Sequence, residues 1–502
     1  MQFPSRPASF DGFVHRAKTE LVDGSGRPLL LRGMGIGNWM LPEGYMWKFG
    51  PGAESPREIE ALVERLIPDG AAEFWRGFQQ NFFNENDVRR IAESGFDHLR
   101  LPINSRLLID DSGAFIEAGF AMVDDVIRWS RTHRLWVLLD LHGAPGGQTG
   151  TNIDDSPNNK PELFMEARYR RLTVALWTEI ARRYADETVV LGYDLLNEPI
   201  PNEWTKIYNP DLARLYRDLT AAIRAVDTNH LIMYEGSHWA TNWDIFTEVW
   251  DDNSCLQFHK YWSPPDTETI AHFLEARDRL QLPIYMGEGG ENNLEWLYTA
   301  WRLYENNAIG WNFWPWKKIN TRTSPASITP PAGWYELIDH VAGGPAPANP
   351  QAIFDELLEN MRLENCVWQP EIVQAITAVE PREIPAWGFG YRGPRVSYAT
   401  TQSTPLAHMR ATDAVTISYL EPGLRDGHWF EQTDGRDYSP SERMAVTLGA
   451  GDWLEYELDG AVDPARITVD DGAAPVVVAA TERGFRLTAA APVTFARIRI
   501  SA

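Results

Sequence analysis

Two glutamates stand where the sequence predicts the ends of buried strands. Glu198 follows the run GYDLLN and precedes Pro199, and Glu288 lies between glycines in the run PIYMGEGG. A glutamate at a random position is a solvated surface residue, so a carboxylate directly after an apolar run is a candidate for chemistry. If one carboxyl group keeps its proton while the other is ionised, the two meet the requirement for cleaving a glycosidic bond. The pair therefore predicts chemistry on a sugar.

Further polar and aromatic residues stand at the ends of other predicted strands. They are Arg100 in FDHLRLP, His142 in DLHG, Asn197 before Glu198, His259 and Tyr261 in QFHKY, and Trp314 in GWNFWPWK. No single residue of this set indicates a particular chemistry, but their joint position at strand ends does. The sequence holds no H-E-x-x-H, P-loop or G-x-S-x-G motif. Metal-dependent hydrolysis, nucleotide chemistry and serine-esterase chemistry therefore lack support.

The elements that must position these side chains are eight short apolar runs, most of them followed by a helical pattern. The runs cover residues 28–36, 96–102, 134–141, 189–196, 230–235, 255–261, 282–288 and 309–315. Amphipathic stripes at helical spacing fill intervening segments such as 162–185 and 211–226. This alternation predicts an α/β fold, a (β/α)8 barrel whose active site lies at the carboxyl ends of its strands. An open doubly wound sheet is the rival, but no Gly-rich turn opens a helix after the first run.

The residue composition and the pattern of predicted elements change after about residue 365. Residues 366–394 contain several prolines, and we interpret them as a linker. The segments in 395–502 are short, rich in β-branched residues and separated by turn residues. This spacing predicts a C-terminal all-β sandwich behind a catalytic domain that spans residues 1–365 and begins with a hairpin. The motif GDWLEY at 451–456 resembles a segment of some carbohydrate-binding modules. Two interpretations of this region stay open: a glycan-binding module, and a structural domain packed on the barrel.

Composition narrows the set of partners. The chain has 46 Lys and Arg against 70 Asp and Glu, a formal charge of −24. So acidic a surface disfavours nucleic acid and anionic membranes, and it fits a neutral ligand. No run is long and apolar enough for a transmembrane helix, and the N-terminus lacks the apolar core of a signal peptide. We expect a cytoplasmic protein or the mature form of a secreted or periplasmic one, and the oligomeric state stays open.

The blocks LRGMGIGNWM, GFDHLRLPI, VLLDLHGAPGGQTG, GYDLLNEP, QFHKY, PIYMGEGG and GWNFWPWK resemble, in this order, those of glycoside hydrolase family 5. The resemblance implies a retaining enzyme with no metal or cofactor, in which Glu198 is the acid/base and Glu288 the nucleophile. It further implies roles for a set of supporting residues. Arg100 and Tyr261 would support the nucleophile, Asn197 would bind the sugar 2-hydroxyl, His142 and His259 would line the sugar site, and Trp314 would stack on the ring.

Within this family the sequence is most similar to the exo-β-1,3-glucanase branch. Glu43 stands four residues after Trp39, as a glucose-binding glutamate does there, and Trp39 and Trp316 are candidates for sugar contact or for the core. We therefore expect an exo-β-1,3-glucanase or β-glucosidase acting on a β-glucan or β-glucoside. The alternatives are an endo-β-1,4-glucanase or β-mannanase, and a sugar-binding protein without catalysis. Burial is expected to raise the pKa of Glu198. Asp154 and Asp155 are expected to lie in a solvated loop.

Overall fold

Eight parallel strands close into a barrel in the computed structural model of the chain, which describes residues 7, 9–406, 408–421, 430–460, 462–469 and 475–501. A small antiparallel sheet precedes the barrel and consists of β1 (His15–Ala17), β2 (Glu20–Val22) and β3 (Pro28–Leu29). The barrel strands are β4 (Arg32–Gly35), β5 (His98–Asn104), β6 (Trp136–Gly143), β7 (Val190–Asp194), β8 (Leu231–Glu235), β9 (Ser254–His259), β10 (Ile284–Gly290) and β11 (Gly310–Trp314). Each overlaps one of the eight apolar runs, and β11 pairs with β4 to close the ring. The predicted (β/α)8 barrel is confirmed.

Helices surround the barrel and fill the connections between its strands. They are α1 (Pro56–Leu66), α2 (Ala71–Phe82), α3 (Glu85–Glu93), α4 (Glu117–His133), α5 (Glu162–Met165), α6 (Ala167–Tyr184), α7 (Thr205–Arg224), α8 (Ala271–Leu280), α9 (Leu294–Asn306), α10 (Trp334–Val341), α11 (Pro350–Asn360) and α12 (Pro370–Thr377). Among the described residues, none of these helices has the length and apolar character that crossing a bilayer would take.

The long segment after β4 folds into α1 and α2 and builds an aromatic cluster. Trp47 stacks on Phe78 with ring centroids 5.4 Å apart, and Phe49 stacks on Trp334 at 5.3 Å. These rings are buried. Part of the high tryptophan content of the chain therefore belongs to the core, since stacked aromatic pairs add to the stability that their burial provides.

The C-terminal region is built from short strands. Next to the barrel lies a three-stranded sheet of β12 (Lys317–Ile319), β13 (Ala326–Ile328) and β14 (Val367–Trp368). Three further sheets, all antiparallel, contain β15 (Glu383–Pro385), β16 (Tyr398–Ala399), β17 (Thr416–Tyr419), β18 (Met444–Leu448), β19 (Trp453–Glu457), β20 (Ile467–Val469), β21 (Val476–Thr481), β22 (Gly484–Ala489), β23 (Val493–Phe495) and β24 (Arg497–Ile500). The predicted all-β character of this region is confirmed.

Residues 366–394, interpreted from the sequence as a linker, carry regular structure. Pro370 begins α12, where the missing N–H of proline costs no hydrogen bond. β14 pairs with β13 next to the barrel, and β15 pairs with β24 of the C-terminal sheets. Pro370 thus starts a helix, and the pairings of β14 and β15 tie the two regions together.

The C-terminal region packs on α9, and the contacts are polar as well as apolar. The Arg302 guanidinium donates to the carbonyl of Ile376 at 2.6 Å, and the Tyr298 hydroxyl donates to the carbonyl of Glu457 at 2.8 Å. An ion pair of 3.1 Å joins Arg497 to Glu295. Residues on all sides of α9 are buried, as expected for a helix covered on both faces.

Candidate active site

A cavity of about 600 Å³ opens at the carboxyl ends of the barrel strands. Its lining comes from the ends of β4 and of β6 to β11, together with one residue of the C-terminal region. The lining residues are Glu43, Tyr45, His142, Ile153, Glu198, Trp239, Thr241, His259, Tyr261, Trp262, Glu288, Glu291, Trp314 and Thr433. Strand ends of a barrel face the same rim, so residues far apart in sequence meet here.

Glu198 and Glu288 face each other across this cavity, and His259 lies between them. The His259 Nδ1 atom is 2.8 Å from Glu198 Oε1 and 3.6 Å from Glu288 Oε2. One carboxylate oxygen of each glutamate and one nitrogen of the ring all lie within 4.8 Å of one another. This separation is closer to the ~5–5.5 Å of two carboxyl groups in a retaining pair than to the ~6.5–9.5 Å of an inverting pair.

Arg100 is the cation at the base of the site and is fully buried. It forms ion pairs with Asp194 at 2.9 Å, with Glu235 at 3.0 Å and with Asp140 at 3.2 Å, and a short one with Glu288. One guanidinium thus faces four carboxylates, and buried like charges favour the protonated state of some of them. Burial accordingly raises the pKa of Asp140 to about 8 and that of Asp194 to about 6, against the opposing effect of Arg100.

Asn197 and His142 extend this network toward the cavity. Asn197 Oδ1 accepts from Arg100 at 2.9 Å, and its Nδ2 lies 3.3 Å from His142 Nε2. The His142 Nδ1 atom is 2.7 Å from Asp140 Oδ2. Burial lowers the pKa of His142 to about 4, so the ring is neutral near pH 7. A neutral ring that donates from Nδ1 can accept from Asn197 at Nε2, which makes the network consistent.

Tyr261 and Trp314 complete the surroundings of Glu288. The Tyr261 hydroxyl donates to Glu288 Oε2 at 3.1 Å. Trp314 lies parallel to His142, with ring centroids 5.4 Å apart, and its Nε1 donates to the Tyr45 hydroxyl at 2.8 Å. A Cβ atom on Gly37 would lie 2.7 Å from the Trp314 ring. The glycine after β4 therefore leaves the space that the indole occupies.

Glu43 lies at the buried end of the cavity and is 3% exposed. Among the described residues, no donor forms a hydrogen bond with its Oε1 atom. Burial raises the pKa of Glu43 well above its usual range, and the charges of Glu288 and Glu198 add to this effect. Because a buried polar atom without a partner is costly, a hydroxyl donor from a ligand would fit here.

The pKa directions of the two facing glutamates differ from the expectation. Burial tends to raise the pKa of Glu198, but the hydrogen bond and the charge of His259 outweigh burial and lower it. Burial raises the pKa of Glu288, with Glu198 adding to the effect and His259 and Arg100 opposing it. The pKa of His259 is raised well above its usual range by the carboxylates around it, despite its burial. These directions favour an ionised Glu198 hydrogen-bonded to a protonated His259, the reverse of the protonated Glu198 that the sequence predicts.

Three of the sequence-based expectations need correction. Trp316 is fully buried beside Trp368, and its Nε1 donates to Asp87, so it belongs to the core. Trp39 donates to the carbonyl of Gln79 and borders a separate cavity of about 290 Å³. Neither tryptophan lines the cavity of the glutamates, because each ring points into the packing around α2 and α3.

The third correction concerns Asp154 and Asp155, which are buried and do not form a solvated loop. Asp154 accepts from the Gly150 and Ser156 N–H groups at 3.0 Å each. Asp155 pairs with Arg106 and accepts from Asn104 at 3.0 Å. Their carboxylates therefore hold the loop after β6 in place against the end of β5.

Other residues of the site escaped the sequence analysis. Glu235 ends the apolar run of β8, the same signal that marked Glu198, and it accepts from the Glu198 N–H at 2.6 Å. Trp262 and Glu291 also line the cavity, and Glu291 pairs with Lys318. Trp239, which the sequence places after the fifth predicted strand and within reach of the site, lines the cavity as well. Glu198, Trp239, Trp262 and Glu291 all have φ between +41° and +57°. Non-glycine residues in this left-handed region are strained, and such strain concentrates at functional sites.

The cluster of Glu198, His259 and Glu288 has the spacing of a metal site but not its chemistry. His259 Nδ1 faces Glu198 at 2.8 Å, and its Nε2 faces Glu235 at 3.2 Å. A ligating imidazole must present a free lone pair, and here both nitrogens are directed at carboxylates. The ring therefore acts as a donor that orients the glutamates.

A closed (β/α)8 barrel with two carboxylates facing each other at its carboxyl rim defines a barrel-type glycoside hydrolase. The model of the family described as cellulase, glycosyl hydrolase family 5, matches residues 67–320, just over half of the chain. The chain belongs to this family, and it is a glycosidase. The resemblance read from the sequence motifs is confirmed.

Individual relatives differ in the activities that their names carry. The chain is 31% identical over 341 residues to a beta-xylosidase of Phanerodontia chrysosporium, covering 60% of this chain and 70% of that protein. It is 25% identical to a probable glucan 1,3-beta-glucosidase A of Aspergillus clavatus, covering 46% of this chain and 55% of the relative. The solved endoglucanase Cel5A of Thermotoga maritima is 21% identical with a TM-score of 0.42, covering 57% of this chain and 89% of that one.

Proposed function

We propose that the protein is a retaining β-glucoside hydrolase that removes single sugars from the end of its substrate. The observation that carries the proposal is the pair Glu198 and Glu288, with carboxylate oxygens within 4.8 Å of one another inside a cavity lined by strand ends and loops of the barrel. The short separation supports a covalent intermediate, because it leaves little room for a water between carboxylate and sugar.

In the first step, a Glu288 oxygen attacks the anomeric carbon and the bond from that carbon to the leaving oxygen breaks. Arg100 and Tyr261 aim Glu288, since both direct donors at its carboxylate, and the charge of Arg100 opposes the rise in the pKa of Glu288 that burial causes. The proton shared by Glu198 and His259 passes to the leaving oxygen. Asn197 lies beside both glutamates, where its amide can bind the sugar 2-hydroxyl.

In the second step, a water replaces the departed group. The Glu198 carboxylate, still hydrogen-bonded to His259, takes a proton from this water, and the oxygen attacks the anomeric carbon. The bond to Glu288 breaks, the sugar leaves with its original anomeric configuration, and the proton is back on the Glu198 and His259 pair. Every proton taken from water is thus matched by one given to the leaving oxygen.

The shape of the cavity supports action at a chain end. Glu43, His142 and Trp314 are nearly buried and form its deep end, whereas Trp262 at its mouth is 44% exposed. A sugar stacked on Trp314, with a hydroxyl donating to Glu43, would lie against these nearly buried residues. An open cleft, as an endo-acting glucanase or mannanase needs, would lack such a closed end.

A product time course tests the proposal. We expect the wild-type protein to release glucose alone from laminarin and to hydrolyse aryl β-glucosides; a ladder of oligomers would mean endo action. Aryl β-xylosides belong in the same screen, because a relative named beta-xylosidase is 31% identical.

Two substitutions separate the roles of the glutamates. Glu288→Gln should lower turnover of every substrate by about a thousandfold or more, because no nucleophile remains. Glu198→Ala should keep forming the covalent intermediate from dinitrophenyl β-glucoside, whose leaving group needs no proton. Glu248→Gln, on an exposed ion pair away from the cavity, is the matched control. Near-normal turnover by Glu288→Gln would rule out the proposal.

A further inference from the structure

One wall of the cavity comes from outside the barrel. The segment 430–438 of the C-terminal region, here called the strap, crosses the barrel rim and brings Thr433 into the lining of the cavity. Thr433 is exposed at the tip of a tight turn in which the Gly435 N–H donates to the carbonyl of Gln432 at 2.8 Å. The two residues that flank the tip, Gln432 and Gly435, are buried, so the turn presents Thr433 outward on a fixed base.

The strap is seated on loops that carry parts of the site. Asn292, four residues after Glu288 and fully buried, donates its side-chain amide to the carbonyl of Phe430 at 2.5 Å. Gly435 has φ +68°, and a Cβ atom there would lie 2.9 Å from Thr323 Cγ2. Thr323 in turn accepts from Lys318, the partner of Glu291. The strap therefore contacts the loop after β10 through Asn292 and the loop between β12 and β13 through Thr323.

The strap lies at the open end of the cavity. The deep end is formed by Glu43, His142 and Trp314, which are 2–4% exposed. Trp262 and Thr433, by contrast, are exposed and form the mouth together with half-buried residues of the loops after β6 and β8. A terminal sugar bound at the deep end would direct its leaving group past this mouth.

We propose that Thr433 borders the site of the leaving group, so that the C-terminal domain sets which aglycone or sugar chain the barrel accepts. This inference rests on the proposed β-glucoside hydrolase function and adds a specificity residue to it. The domain then acts as a wall of the active site and is more than a support for the barrel. The group that it selects is the one that departs in the first step, not the sugar that is retained.

The test compares two substrates that share a glucose and differ only in the leaving group. β-Glucosyl fluoride has a leaving group too small to reach Thr433, and laminaritriose places two sugars at the mouth. We expect Thr433→Trp to lower kcat/KM for laminaritriose by about tenfold or more and to change that for glucosyl fluoride by about twofold at most. Asp437→Trp, an exposed strap position outside the lining, is the control for bulk and should change neither value.

A second pair of variants tests the seating of the strap. Gly435→Ala forces a side chain against Thr323, whereas Gly451→Ala has the same left-handed strain with no atom within 4 Å. Only Gly435→Ala should alter the ratio of kcat/KM for laminaritriose to kcat/KM for glucosyl fluoride. The melting temperature of each variant is measured to separate misfolding from a change in specificity. Equal losses on both substrates, or an effect of Asp437→Trp like that of Thr433→Trp, would overturn the inference. A wild-type protein inert toward glucosyl fluoride would instead refute the proposed function, and the inference with it.

Discussion

At the scale of single residues, the site is a cluster of buried charges that do not balance. Arg100 and His259 are its cations, and five buried or nearly buried carboxyl groups surround them: Asp140, Asp194, Glu198, Glu235 and Glu288. Such a cluster binds protons, because each unpaired buried charge costs several kcal/mol. The proton that Glu198 needs as an acid is held jointly with His259, and coupled groups of this kind titrate as a pair.

His259→Gln should move the alkaline limb of the kcat/KM profile to lower pH. In the wild-type protein the shared proton is lost only at high pH, because the carboxylates of Glu235 and Glu288 raise the pKa of His259. Without the imidazole the proton sits on the Glu198 carboxyl group alone, which releases it at lower pH. The measurement is kcat/KM for an aryl β-glucoside against pH. His340→Gln, at a helix end far from the lining residues, is the control, and an unmoved limb would contradict a shared proton.

At the scale of elements, the backbone around the cavity is arranged to admit large side chains. β4 ends at Gly35, the loop after it carries Gly37, and both glycines approach the Trp314 ring more closely than a Cβ atom allows. The loop after β6 is held by Asp155, which binds Arg106 and Asn104. The end of β4 and His142 at the end of β6 thus determine where the Trp314 indole lies.

Gly37→Ala tests this arrangement. The added methyl group would lie 2.7 Å from the Trp314 ring and 2.9 Å from Met46 Cε, so the indole must shift. A displacement near 1 Å at a reacting centre lowers rates by about a hundredfold. We expect kcat/KM for aryl β-glucosides to fall by about tenfold to a hundredfold. Gly50→Ala, where no atom lies within 4 Å, should leave the kinetics unchanged, and an unaffected Gly37→Ala enzyme would show that the ring position is unimportant.

At the scale of the whole molecule, the barrel and the C-terminal domain share one hydrophobic core. α9 is buried on all sides, and buried polar contacts such as Arg302 with the carbonyl of Ile376 cross the boundary. The motif GDWLEY lies in this domain, and the guanidinium of Arg486 covers one face of Trp453 at 3.8 Å. The contacts favour a domain that completes the enzyme over a detachable sugar-binding module.

Removal of the C-terminal domain should therefore destroy the fold of the barrel. A chain ending at residue 365 would expose the apolar face of α9 and leave Arg302 and Glu295 without their partners, Ile376 and Arg497. We expect this fragment to aggregate, as measured by its soluble fraction and by the loss of a cooperative melting transition. A soluble fragment that melts cooperatively would show instead that the domain is dispensable for folding.

Local patterns along the chain are enough to predict the barrel, its eight strands and the residues at their ends. Apolar runs and helical stripes are local patterns, and parallel strand ends must share one rim, so Glu198, Glu288 and Arg100 could be placed together without coordinates. Glu235 at the end of β8 follows an apolar run in the same way as Glu198, so the sequence marks it as a candidate too.

The surroundings of a side chain depend on contacts between distant parts of the chain, and these emerge only in the folded molecule. Trp39 and Trp316 pack into the core while Trp314 lines the cavity, because an indole's surroundings come from elements elsewhere in the sequence. The pKa of Glu198 falls because His259, 61 positions away, donates to it. Thr433 reaches the cavity because Asn292 binds the carbonyl of Phe430, 138 positions away. Composition and periodicity carry no information about such pairings, since the pairings arise only when distant parts of the chain fold together.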